Sequence, residues 1–449
     1  MSSQEKITII GGGLAGPLLS LYLAKKNIHV NLYEKRDNIL KKNIKSGGRS
    51  INLAISERGI RPLKELNIFD KIEPELIPMK GRMIHDQEGN QKFYNYGKNN
   101  NEYINSVSRY KLNYFLLSEL EQYTNATVTF NKKCVGYNTE KQKLKFNDGE
   151  NIKITGPIIG TDGSSSIISK VIANKTNTKI KEDVLSHIYK ELTIPAKDND
   201  FQLEPNALHI WPRKSMMIIA LPNIDRSFTC TMFIKKNGNM SLSSLESSEK
   251  ILSFFQKHFI NLLTLIPDIE TQFKKNPVSN LSTIYTEKWN YKNLACVLGD
   301  AAHAIVPFFG QGMNASFEDC FEFNKLVQKK HNDWTAVFND FYNKRKKNAD
   351  AIATMALENF VEMKDHVIDD KFLLNREVEK YLEKKFPDYF IPRYSMVSFS
   401  NIPYEIVQKR GAIQQSIISK LSKSITNINQ INLQKAKKLI INNLDKHES

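Results

Sequence analysis

Cysteine is scarce: four in 449 residues, at Cys134, Cys230, Cys296 and Cys320, far apart and with no C-x-x-C pair. That scatter argues against a disulfide framework or a zinc ribbon, leaves no expected metal site, and points to a reducing, cytoplasmic compartment. Long apolar runs are also missing, and none approaches the ~18–20 residues of a membrane-spanning helix. No signal-like hydrophobic region opens the chain, because Met1–Lys6 leads straight into a strand. The positive charge has no focus. The formal net charge is +16, yet the lysines are spread along the whole chain among asparagines. That pattern reads as a solvated surface rather than a nucleic-acid or membrane footprint. The length suffices for two large domains, or one with an appendage, with ample core.

One glycine-rich fingerprint is present. Lys6-Ile7-Thr8-Ile9-Ile10 is a short apolar strand, Gly11-Gly12-Gly13-Leu14-Ala15-Gly16 follows, and a helix is predicted over Pro17–Lys26. A second strand, His29–Tyr33, ends at Glu34, 23 positions after Gly11. Glycines there permit a tight turn and close approach of a pyrophosphate, and the carboxylate suits a ribose, so the pattern predicts an adenine dinucleotide. No second fingerprint occurs, so one dinucleotide is bound permanently and any other visits.

A second stretch lies two-thirds along: a predicted strand Leu294–Leu298, Gly299-Asp300, a loop with Gly310 and Gly312, then a helix. A carboxylate at a strand end can bind sugar hydroxyls, and a helix start favours negative charge. A flavin needs both, an acceptor for its ribityl chain and a positive end near N1–C2=O. A third element, Pro157-Ile158-Ile159-Gly160-Thr161-Asp162-Gly163-Ser164-Ser165-Ser166, is a strand followed by an Asp-Gly turn.

These three elements, in this order over some 300 residues, resemble the fingerprint, DG and GD motifs of the flavoprotein monooxygenases that hydroxylate aromatic rings. Two departures are visible. Ser169, beside Lys170, stands where the family usually has Arg, and Ser316 stands where a smaller Gly is usual. The resemblance implies an α/β fold (α+β overall), as in p-hydroxybenzoate-hydroxylase-like proteins. A Rossmann-like FAD-binding domain would comprise residues 1–75, 105–180 and 285–330. A β-sheet substrate domain would comprise 76–104 and 181–284, and a C-terminal helical region 331–449. Alternating apolar positions in Leu208–Arg213, Met216–Leu221 and Ser227–Phe233 agree with such a sheet.

For the cofactor, the resemblance implies non-covalent FAD held by Gly11, Gly13, Leu14, Ala15 and Gly16, with Glu34, Lys35 and Arg36 after the second strand. Asp162 and Asp300 come from the DG and GD motifs, and Gly310, Gly312, Met313 and Asn314 from the loop. Arg49–Ala54 would run beside the flavin, with Ala54 in contact, ahead of a helix capped near Ser56. Arg109, at the head of a helix predicted over Arg109–Tyr123, would lie near the phosphates and ribityl chain.

Gly48–Ala54, His209–Arg213, Gly299–Asn314, Glu358–Met363 and Pro392–Tyr394 are further similar to the family's kynurenine-hydroxylating members. That similarity implies L-kynurenine as substrate, with NADPH as a transient reductant and O2 activated at flavin C4a. Arg82 would pair with the substrate carboxylate, and Tyr96, Asn359 and Tyr394 would supply donors. Phe308 and Phe309 would pack on its ring. No side chain is expected to act as nucleophile or base, and His303 reads as packing near the strand end. Other aromatic acids stay open as substrates. So do an NAD-dependent dehydrogenase and a non-catalytic FAD-binding or membrane-surface module.

An amphipathic helix is predicted over Ile251–Leu265 and, beyond Ser316, a long helix over Trp334–Met363 and a further one over Val378–Phe386. From Tyr404 to Ser449 the apolar residues recur at helical spacing, with eight Lys/Arg against three acids. This tail reads as a packed cap rather than a peripheral membrane segment. The expected oligomeric state is monomer or homodimer.

Overall fold

A computed structural model describes residues 6–41, 52–97, 101–365 and 370–447. The expected flavin-side residues Arg49–Ile51 therefore lie outside the described residues, whereas Asn52–Ala54 lie within them. Ile7, Ile9 and Ile10 are buried, and even Thr8 is. Such a run needs cover on both faces, the situation of a parallel sheet. The strand Lys6–Ile10 is accordingly central in a six-stranded sheet, ordered 290–291, 295–297, 158–160, 6–10, 29–33, 126–129. All pairings are parallel except the 290–291 edge.

That order does the essential positioning. Ile10 pairs with Gly160, and Gly160 with Val297. The three motif-bearing strands, each about 140 residues or more from the next in sequence, thus end side by side. Gly11, Asp162 and Gly299 follow at one rim, where parallel sheets bind ligands.

A second sheet has seven strands, ordered 278–286, 180–194, 228–235, 216–222, 207–213, 81–85, 91–95. Its residues alternate between two cores. Trp211, Ile218 and Met232 face the helices Ser248–His258, Ile260–Leu265 and Ile269–Lys275. Ile210, Met217 and Phe233 face Phe308, Phe309, Met355 and Met396. The single helix predicted over Ile251–Leu265 is two helices. Phe259, buried and at φ −145°, leaves helical conformation and ends the first one.

The 32-residue helix Trp334–Asp365 crosses to the C-terminal helices Asp370–Lys385, Arg393–Ser398, Tyr404–Ser422 and Leu433–Asn443. The tail's stripe is packed: Ile417, Ile418 and Leu421 are buried with Val378, Leu382, Ala436 and Ile440. No helix of the described residues is long and apolar enough to cross a membrane. All four cysteines are buried free thiols. Among the described residues no group of three His, Cys, Asp or Glu is placed to hold a metal.

Between the layers lies a buried charge cluster. Arg58 pairs with Glu318 at 2.7 Å, and Arg345 pairs with Glu318 and Asp319 at 2.7 Å each. Asp319 also accepts from the Gly299 amide at 2.9 Å and contacts His303 Nε2 at 2.5 Å. Burial alone would raise both carboxyl pKa values. The facing groups, Arg345 and Arg58 at Glu318 and His303 and Arg345 at Asp319, hold them below the ordinary carboxylate range. Because the folded values are depressed, the contribution is complete above the unfolded pKa near ~4 and is lost as pH falls through the folded values. Arg345→Met leaves two carboxylates short of a partner. It should lower stability by about 3–5 kcal/mol, the cost of breaking a buried pair, read as a fall in denaturation midpoint. An unchanged midpoint would show that the cluster is dispensable.

Candidate active site

At the fingerprint, Glu34 is buried and ties the loop together. Its Oε2 accepts from the Gly12 amide at 2.6 Å, and its Oε1 accepts from the Arg36 amide and Nε at 2.9 and 2.7 Å. Burial opposes its charge, but Arg36 and the Gly12 N–H prevail and hold its pKa below the ordinary value. Arg36 also donates to the Gly12 carbonyl at 3.1 Å, while Lys35 is exposed beside it. The glycines divide by surroundings. A Cβ on Gly11, at φ +110°, would collide with the Thr161 carbonyl, and one on Gly16 with the Gly11 carbonyl. A Cβ on Gly13 would meet no protein atom within 4 Å. Packing therefore dictates glycine at 11 and 16. At 13 only an approaching ligand would, which fits a dinucleotide. Leu14 and Ala15, half-buried, start the helix Ala15–Lys25 directly, two residues earlier than predicted.

Arg109 begins the helix Arg109–Leu120 and is exposed. One turn on, Asn113 Nδ2 donates to the Gly12 and Gly13 carbonyls at 3.0 and 2.6 Å. The spacing of four places Arg109 on the helical face that meets the glycine loop. Asn113 was legible only by that spacing, and sequence reasoning passed over it. Thr161 was also passed over; its Oγ1 donates to the Ile10 and Gly11 carbonyls at 3.0 and 2.8 Å. Asp162 is spoken for locally. Its two oxygens accept from Ser166 Oγ at 2.5 Å and from the Ile167 amide at 2.7 Å, capping the helix Ile167–Thr176. Ser169, in place of the family's usual Arg, is buried and donates to the Ala301 carbonyl.

At the GD motif, Gly299 takes φ +61° and Asp300 follows, exposed and with no protein partner among the described residues. Gly310, at φ +66°, lies against Ala54, whose Cβ would be 3.6 Å from an added methyl. The helix Gly312–Lys329 makes its first backbone bond from the Ala315 amide, so the N–H groups of Gly312, Met313 and Asn314 precede any intrahelical acceptor. Asn314 is buried and stitches the loop to the strand Asn52–Ile55. Its Oδ1 accepts from the Ser56 amide at 2.9 Å, and its Nδ2 donates to the Ala54 and Gly310 carbonyls at 2.9 and 2.8 Å. Ser56 precedes the helix Glu57–Glu65 as expected, but its side chain does not cap it. Ser316 Oγ folds back onto the Gly312 carbonyl at 2.9 Å, which accommodates the larger residue. His303 is stacked on Trp289 with centroids 5.1 Å apart and bound to Asp319, a packing role.

The second sheet brings Arg82 into this region. Its guanidinium lies 4.5 Å from the Tyr394 ring centroid and 5.3 Å from that of Tyr96, and the two rings stack at 5.1 Å. Among the described residues no carboxylate pairs with Arg82. Its Nε and the Tyr96 hydroxyl are buried with no hydrogen-bond partner. Phe309 stacks on Tyr394 at 5.8 Å, and Phe308 stacks on Phe360 at 4.3 Å. Asn359 Nδ2 donates to the Phe308 carbonyl at 2.6 Å, so this amide also holds Phe308 in place. The structure thus gathers Arg82, Tyr96, Tyr394, Phe309, Phe308 and Asn359, with the phenylalanines directly preceding the Gly310 loop. A cation flanked by phenol rings and aromatic faces is an arrangement that can pair with a carboxylate beside a planar ring.

Residues 4–344 match the protein family described as FAD binding domain. The chain is 41% identical over 442 residues to a kynurenine 3-monooxygenase of Myxococcus xanthus, covering 97% of this chain and 95% of that one. It is 42% identical over 458 residues to a kynurenine 3-monooxygenase of Dictyostelium discoideum, covering 99% of each. Among solved structures, 2-methyl-3-hydroxypyridine-5-carboxylic acid oxygenase superposes with TM-score 0.67 at 15% identity, over 83% of this chain and 96% of that one. Pseudomonas aeruginosa PqsL with 2-aminobenzoylacetate gives 0.66 at 13%, over 80% and 97%. These two likenesses show the fold.

The two glycines make a paired prediction. Gly13→Ala should leave stability of the FAD-free chain within about 0.5 kcal/mol while weakening FAD binding by about tenfold or more, some 1.4 kcal/mol. Gly11→Ala should destabilise the chain itself, because its φ is positive. Full FAD affinity in Gly13→Ala, measured by fluorescence titration, would contradict this placement of the pyrophosphate.

Proposed function

The chain belongs to the kynurenine 3-monooxygenase family of FAD-dependent hydroxylases, and from that membership we propose how its own residues share the work. The protein is a flavoprotein monooxygenase that converts L-kynurenine to 3-hydroxy-L-kynurenine with NADPH and O2. The observation that carries the site assignment is Arg82, a cation enclosed by two phenol rings with no carboxylate of its own. Its guanidinium pairs with the amino-acid carboxylate of the substrate, and Tyr96 and Tyr394 donate beside it. Asn359 keeps Phe308 seated through the 2.6 Å bond to its carbonyl. Phe308 and Phe309 would pack on the aminophenyl ring and set its plane.

The Gly11–Gly16 loop would hold FAD at its pyrophosphate and Glu34 at its ribose, with Lys35, Arg36 and Arg109 supplying positive charge near the phosphates. Asp300 would accept from the ribityl chain. The amides at 312–314, beside Ala54 and Gly310, would offer donors to the flavin's N1–C2=O edge. Asp162 acts by shaping the turn. FAD, when bound and reduced, supplies the oxygen-activating chemistry. The protein's part is orientation and dryness. The substrate's amino group makes its ortho carbon electron-rich, so the ring must be held with that carbon foremost and water kept out.

The proposed domains are 1–75, 105–180 and 285–330 for FAD, 76–104 and 181–284 for the substrate sheet, and 331–449 for the helical region. The first set holds every strand of the six-stranded sheet, which supports the division. Four buried free thiols agree with a reducing cytoplasm.

Purified protein should oxidise NADPH much faster with L-kynurenine present, and the product should weigh one oxygen more. Stimulation with peroxide as the only product would leave the flavin site standing and remove the substrate. Arg82→Met should raise the apparent L-kynurenine constant by about 10- to 100-fold, one charge-assisted pair, with FAD retained. An unchanged constant would sink the role given to Arg82.

A further inference from the structure

Behind the loop that precedes Gly312 lies a buried contact that the chemistry above does not use. Tyr404, fully buried at the start of the helix Tyr404–Ser422, donates its hydroxyl to Gln311 Oε1 at 2.8 Å. Gln311 is itself buried, between Gly310 and Gly312, and its Nε2 is turned toward Ser56 Oγ at 3.5 Å. The hydroxyl thereby decides which way round the amide stands. The Tyr404 ring in turn carries the Arg58 guanidinium, 4.0 Å from its centroid. Arg58 donates to the backbone carbonyls of Val397 at 3.1 Å, Met396 at 3.4 Å and Ile402. Those carbonyls belong to, or closely follow, the short helix Arg393–Ser398 that presents Tyr394 to Arg82. The segment from Tyr394 to Tyr404 is thus clamped as one piece, with one end at the substrate cation and the other on the flavin loop.

We propose that the Tyr404–Gln311 hydrogen bond, backed by Arg58, is a positioning strut that couples occupancy of the Arg82–Tyr394 site to the order of the flavin-binding loop. This rests on the function proposed above. Ligand at either end orders the shared piece, so the second ligand has less left to order. Linkage is reciprocal: L-kynurenine should tighten FAD by the same factor as FAD tightens L-kynurenine. The Phe309–Tyr394 stack offers a parallel route between the two ends.

The test measures the FAD dissociation constant of the FAD-free chain by flavin fluorescence, with and without saturating L-kynurenine. In the natural chain, L-kynurenine should tighten FAD by about fivefold or more, the usual lower range of such coupling. Tyr404→Phe keeps the ring on Arg58 and removes only the hydroxyl. It should leave FAD affinity without L-kynurenine within about threefold, yet cut the tightening below about twofold, a coupling near zero. Gln311→Met should do the same. The double variant should lose no more than either single one, because both break a single interaction. Equal tightening in the natural chain and both variants would assign the coupling to the Phe309–Tyr394 stack and overturn the strut. Absence of tightening in the natural chain, with both ligands bound, would overturn it too. Failure of L-kynurenine to bind the FAD-loaded chain would instead overturn the substrate assignment on which it rests.

Discussion

Two guanidinium groups and two carboxylates lie together in the interior, and four parts of the chain meet on them. Arg58 comes from the helix after the strand Asn52–Ile55, Glu318 and Asp319 from the helix after the Gly310 loop, and Arg345 from the long helix that leads to the C-terminal region. Asp319 reaches back to the Gly299 amide, at the end of a central strand. Each charge is costly to bury and tolerable only with its partners in place. The cluster therefore admits one arrangement of these segments. That arrangement holds the Gly299 turn, the Gly310–Gly312 loop and the Tyr394 segment in fixed relation.

Arg82 is the counterexample within the same molecule. Arg58 and Arg345 are buried with carboxylates; Arg82 sits among phenol rings without one. In a low-dielectric setting an unpaired cation is a standing cost, and a protein keeps it where a ligand supplies the missing charge. The same reasoning separates Gly13 from its neighbours. Gly11 and Gly16 are glycines because the protein's own backbone crowds them, whereas Gly13 has open space. Both ends of the site thus show groups whose demands the chain does not meet by itself.

The dinucleotide fingerprint, the Asp-Gly turn and the Gly-Asp stretch were legible in the sequence because each is a local strand–turn signal whose residues act within a few positions. The sheet order that aligns them was legible only through family likeness. The stitching was not legible. Asn113 to Gly13, Arg58 to Met396 and Tyr404 to Gln311 join residues about 90 to 340 positions apart, and nothing in their neighbourhoods marks them. Local signals also misled. Ser56 looked like a helix cap, but its side chain does not serve as one. Ile251–Leu265 kept a helical period across Phe259, but that buried residue takes a non-helical φ and divides it into two helices. The tail's helical apolar spacing, by contrast, read correctly as a packed cap, and its stripe is buried.

The proposed site depends on Arg82 recognising a carboxylate, and the most direct measurement varies the ligand. The FAD-loaded protein would be titrated with L-kynurenine and with its decarboxylated counterpart, which keeps the aminophenyl ketone and the amine, while the flavin spectrum is followed. Loss of the carboxylate should weaken binding by about 10- to 100-fold, the worth of one charge-assisted pair, and Arg82→Met should bind the two ligands equally. Equal affinity in the natural protein would contradict the central claim, because the unpaired guanidinium would then have some other purpose.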